Sequence, residues 1–169
     1  MRRISLFLLA LAALAVPVAA QASHLAAGDG TLVVKNGSAP DGVPVVRLTV
    51  TGSVIGQVGP SGGRIIIDSG PKGVVPEVSA GTAHDVSPKD TAQWWASNDS
   101  FKFRAVGGHF TIVIYGSGVS LFAVGSGKVV LQGLPDTPKG DGRYSLAGAD
   151  FVSLPGSPTK QLLFGDSSS

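Results

Sequence analysis

The chain contains no cysteine and one methionine, and only 14% of its 169 residues are charged. Without cysteine there is no disulfide, no thiolate nucleophile, no cysteine-based zinc site and no cysteine to carry a lipid. A domain of this kind must stand on its packed core. The sparse charge is also dispersed. After Arg3 no cluster of Lys and Arg occurs that could displace counterions from nucleic-acid phosphates or grip an acidic membrane. Aromatic residues are few, at 7%, and the two tryptophans stand side by side at Trp94 and Trp95.

Long apolar runs are missing except at the start, where the composition is that of an export signal. Arg2 and Arg3 form a positive n-region, Ile4 to Val16 an apolar h-region, Pro17 a break, and Ala20-Gln21-Ala22 a small-residue cleavage site. Residues 1–22 are therefore predicted to be a signal helix, and the mature chain to begin near Ser23. The alternative is an N-terminal membrane anchor, for which residues 4–20, with Ser5 inside and Pro17 near the end, are short against the ~20 residues a span requires. The Arg pair leaves the twin-arginine route open beside the general one. Processing also removes two cations, leaving 11 basic against 11 acidic residues, so the mature chain is close to neutral.

What the sequence has in quantity is glycine, 24 residues, with 11 prolines. Between the glycines lie runs of five to eight residues rich in Val, Ile, Leu, Phe and Thr, the length and composition of strands. Two parts share one plan. The first runs from Thr31 through Val45-VRLTVTG and Ser53-VIGQVG to Arg64-IIIDSG. The second runs from Phe101-KFRAVGG through His109-FTIVIYG and Val119-SLFAVG to Lys128-VVLQG. This is read as an internal duplication. Loops so short join antiparallel neighbours, which predicts an all-β domain built from two four-stranded meanders.

Packed together, these would make an antiparallel β-sandwich or a flattened β-barrel. The boundaries are a first meander at 30–68, a linker at 69–99, a second meander at 100–133, a hairpin and final strand at 142–164, and a disordered tail at 165–169. All of 23–164 forms one domain. Phe110 to Tyr115 and Lys128 to Leu131 are apolar on both parities, so those strands are expected to be central and covered on both faces. In the linker, Ser87-Pro88-Lys89-Asp90 has the form of a helix start, which predicts one or two helical turns through Trp95.

Motifs for chemistry are weak. Gly59-Pro60-Ser61-Gly62-Gly63 spells the nucleophile-elbow pattern, but a strand follows where the elbow needs a helix, so a turn is expected. Gly125-Ser126-Gly127-Lys128 resembles the end of a phosphate loop, yet Phe122 and Val129 stand where Gly and a magnesium-binding hydroxyl belong. His24, His84 and His109 lack metal-ligand spacing. Asp136, Asp141 and Asp150 read as turn residues. Asn36-Gly37-Ser38 and Asn98-Asp99-Ser100 fit the glycosylation sequon. No catalytic residue, metal or cofactor is assigned.

Trp94 and Trp95 are the sequence's candidate ligand-binding residues. Adjacent side chains cannot both face one core, so one indole is expected at the surface, as a platform for a sugar or an anchor for a protein.

The run from Phe103 to Gly133, followed by Gly142 to Pro155, resembles small exported all-β proteins of high-GC Gram-positive bacteria, a group without an assigned activity. The resemblance implies the fold and the exported setting and transfers no site residue. The expectation is thus a secreted, non-enzymatic β module with a binding or structural role at the cell envelope, its partner an envelope protein or a glycan. A carbohydrate-binding module using Trp94 and Trp95 is the alternative. A small hydrolase is the remote one, requiring Ser61 within reach of His84 or His109.

Overall fold

The computed structural model describes residues 30–59, 61–70, 73–79, 84–85, 94–95, 100–135 and 142–165. The signal segment 1–22 and the end of the tail lie outside them. The described residues contain no helix and form eleven strands. These are β1 (Thr31–Gly37), β2 (Pro44–Val58), β3 (Gly63–Asp68), β4 (Glu77–Ser79), β5 (His84–Asp85), β6 (Trp94–Trp95), β7 (Phe101–Gly116), β8 (Val119–Leu131), β9 (Arg143–Leu146), β10 (Val152–Ser153) and β11 (Leu162–Phe164). Nine form one antiparallel sheet in the order β10-β9-β1-β8-β2-β7-β3, with β11 added to β8 and β4 to β7; β5 and β6 pair separately.

All-β and antiparallel character thus follows the sequence, whereas the two self-contained meanders do not form. The segments expected as separate strands fuse into β2, β7 and β8, of 15, 16 and 13 residues. The two halves then interleave. β1 pairs with β8 instead of β2, β3 pairs with β7 instead of β2, and β7 and β8 flank β2 instead of each other. Only β9 and β10 are sequence neighbours that also pair within the main sheet. The sheet is single and not closed into a barrel.

Short loops can join unpaired strands here because the long strands bend back on themselves. Pro44 faces Tyr115 and Gln57 faces Ser120. A straight strand would hold Pro44 and Gln57 about 43 Å apart, yet the step from Tyr115 to Ser120 reaches at most about 17 Å. β2 must therefore curl, and the amide of Gly59 at its far end donates to the Ser117 carbonyl at 3.0 Å. The bend falls on glycine. Gly52 lies directly opposite Gly125 on β8 and Gly108 on β7, which places a crease of three glycines across the three long strands. Gly52 and Gly125 have φ of 152° and 141°, and a Cβ on either would run into a carbonyl oxygen of the other strand, that of Val124 or Thr51. A side chain would fit neither the backbone conformation nor the approach.

Folding the sheet at this crease gives an inner and an outer face, and the inner face is the core. On β2 the even positions Val46, Leu48, Val50, Val54 and Val58 are buried through the bend; on β8 the odd positions Val119, Leu121, Ala123, Val129 and Leu131 are. β7 changes parity, from Phe101, Phe103 and Ala105 to Phe110, Ile112 and Ile114. The register explains the change. Two steps on β2, Gly52 to Val54, match three on β7, Gly108 to Ala105, so one extra residue forms a bulge at the crease and returns the apolar side chains inward. Coverage on both faces is not observed: Thr111 and Lys128, on the outer side of β7 and β8, are exposed. Their apolar neighbours Val113 and Val130 are partly buried.

Candidate functional site

The outer face of one half of the folded sheet carries a groove of about 580 Å³ that is open to solvent. Its position follows from the inward alternation just described, because the residues between the core positions must point out. Val33 on β1, Phe122 on β8 and Ile55 on β2 are directly opposed across three strands and form an apolar row. Phe122 is 42% exposed and Ile55 48%. Two residues along the strands lies a polar row, with Lys35 on β1, Ser120 on β8, Gln57 on β2 and Lys102 on β7. Asn36 completes the rim. Among the described residues the lining holds two lysines and no carboxylate.

A local irregularity shapes the rim. Val34 faces Leu121 and Gly37 faces Val119, so β1 carries one residue more than β8 between these pairs. Asn36 takes up the extra length with φ of 52°, a left-handed conformation that asparagine tolerates. Its amide donates to Ser120 Oγ at 3.2 Å. Beneath the groove, Gly56 faces inward and leaves room for the Phe103 ring, which a Cβ would meet at 2.5 Å.

At the β1 end the groove meets a cationic corner. Lys35 and Arg143 of β9 are direct cross-strand partners. Both lie over the ring of Phe151, Lys35 Nζ at 4.6 Å and Arg143 Cζ at 5.4 Å from its centre. Phe151 is 41% exposed. Like charges opposed across a ladder repel, and their contacts with one ring offset part of that cost.

The sequence's own candidates lie elsewhere. Trp94 and Trp95 are in β6, paired with Asp85 and His84, so the expected helical turns do not extend through Trp95; their start at Ser87 to Asp90 lies outside the described residues. The backbone of β6 comes alongside β3, which lends no residue to the groove. Ser61 sits in the turn between β2 and β3, where the Gly62 amide donates to the Gly59 carbonyl at 3.2 Å. No hydrogen bond joins Ser61 to His109, whose Nδ1 lies 3.0 Å from Thr51 Oγ1; the side chain of His84 lies outside the described residues. Gly125 to Lys128 lie inside β8, in strand and not in a loop. No group of three or more potential metal-ligating His, Asp or Glu side chains occurs among the described residues.

The groove itself was missed because Val33, Ile55 and Phe122 are isolated outward residues, each unremarkable in its own strand. Only the register, which pairs β1 with β8 and β8 with β2, brings them into one row. Comparison of the chain with protein-family models, with curated proteins and with solved structures gave no match.

Proposed function

We propose that this chain is an exported, non-enzymatic β module that binds a component of the cell envelope or the extracellular space through the groove over β1, β8, β2 and β7. The observation that carries the binding role is the row Val33–Phe122–Ile55. Two of its three side chains are large, apolar and more than 40% exposed, and a cationic and amide-bearing rim frames them. Apolar surface gathered beside convergent polar groups is the usual form of a recognition site. The export part rests on the N-terminal signal pattern and on the resemblance to small exported β proteins.

The finer history of the fold belongs to the same proposal. The pairing pattern maps onto itself when the two sequence halves are exchanged. β1 on the first half of β8 corresponds to the first half of β7 on the second half of β2, and the first half of β2 on the second half of β8 corresponds to β7 on β3. This exchange supports duplication of a four-segment unit, with the copies interleaved instead of packed as separate meanders.

Two measurements test the function. Intact mass of the protein released by its native cell should start near Ser23; a mass that retains Met1 to Ala20 would overturn export with release. Envelope fractions should retain the mature protein and lose it when Phe122→Ser and Ile55→Thr are combined. Equal retention of the variant, with its fold intact by circular dichroism, would overturn the groove as the binding site.

A further inference from the structure

We infer that the groove takes a single-chain anionic amphiphile, an unbranched alkyl chain ending in a carboxylate or a phosphate monoester. The head lies against Lys35 and Arg143 and the chain along Val33, Phe122 and Ile55. This inference rests on the proposed binding role and names the chemistry of its occupant.

The charge argument begins at the corner. Lys35 and Arg143 are opposed across the β1–β9 ladder, and among the described residues no ion pair joins either to a carboxylate. Their shared contact, the Phe151 ring, satisfies neither as a hydrogen-bond donor. Two exposed cations opposed on one ladder form a receptor for an anion that accepts from both. The Asn36 side chain, at the bulge beside Lys35, adds an amide to that corner.

The shape argument follows from the apolar row. It crosses two inter-strand gaps, about 10 Å, and starts from Val33, two residues from Lys35 on the same strand. An alkyl chain laid from that corner across Phe122 to Ile55 would cover the exposed apolar surface and bring no polar atom over it. An extended peptide fits less well. β1, β8, β2 and β7 are each paired with strands on both sides over the groove, so the floor offers no free edge for main-chain hydrogen bonds. A peptide backbone over the row would then have only solvent for partners.

The test uses the full mature chain, labelled with ¹⁵N and titrated at low ionic strength with decanoate and with decyl phosphate, both below their micelle concentrations. Saturable shifts at the amides of β1, β8 and β2 around Val33, Phe122 and Ile55 are expected, and the tighter of the two ligands identifies the head group. Butyrate, which keeps the head and loses the chain, should bind at least about tenfold more weakly. Lys35→Gln combined with Arg143→Gln should weaken decanoate about tenfold, and salt should weaken the unmodified protein in the same direction. Both substitutions are at exposed positions, and a thermal scan should show the variant at least as stable as the parent, because the opposed charges are gone.

Absence of saturable binding by both probes would overturn the inference. Binding by uncharged octyl glucoside equal to decanoate and indifferent to Lys35 and Arg143 would overturn it too, as would preference for an acidic, leucine-rich peptide. If neither probe binds while envelope retention still depends on Phe122 and Ile55, the amphiphile is wrong and the groove's role stands. If retention is also indifferent to those residues, both fall.

Discussion

Glycine in this chain has two jobs that look alike in sequence. Gly42 has φ of 75° with open space where a Cβ would stand, so Gly42→Ala carries only the backbone strain, about 1 kcal/mol. Gly125 has φ of 141° and faces the Thr51 carbonyl, so Gly125→Ala forces β2 and β8 apart at the crease. A loss above about 3 kcal/mol is expected, beyond the range of ordinary surface changes. Urea unfolding of the two variants checks the difference, and equal midpoints would show that the crease tolerates a side chain. Gly165 belongs with Gly125: it has φ of 69°, and a Cβ there would collide with the Gly125 carbonyl. Its sequence context, beside a serine-rich terminus, gave no sign of this, since the neighbour that excludes a side chain is forty residues away.

At the scale of the element, strand existence was legible and strand partnership was not. Alternation at Phe101, Phe103 and Ala105 against Lys102 and Arg104 marks a half-buried strand whatever it pairs with. In sequence, Gly52, Gly107 and Gly125 read as turns between short strands, because a local signal cannot tell a hairpin turn from a bend within a strand. The same blindness hid the groove, which exists only as a relation between β1, β8 and β2. The pairing predicts a gradient of protection. Amides of β2, held by β7 on one side and β8 on the other, should exchange slowest, and those of the two-residue β10 fastest among the strands of the main sheet. Hydrogen exchange read by mass spectrometry decides this, and faster exchange in β2 than in β10 would contradict the sheet order.

For the whole molecule, one consequence of the interleaved pairing concerns time. β1, β2 and β3 have no partners among themselves; each waits for β7 or β8, which lie beyond residue 100. A fragment ending at residue 100 should therefore lack the β signal by circular dichroism, and a fragment as ordered as the full chain would refute the pairing. Contacts so distant along the chain place refolding in the ms to s range, to be timed by stopped-flow fluorescence. Chain order thereby acts as a delay. The first hundred residues emerge from the ribosome unable to settle into their native sheet, and the domain locks only when the residues beyond 100 arrive. A polypeptide that must pass through a narrow channel before it folds gains from such a delay, and here the delay is written into which strand lies beside which.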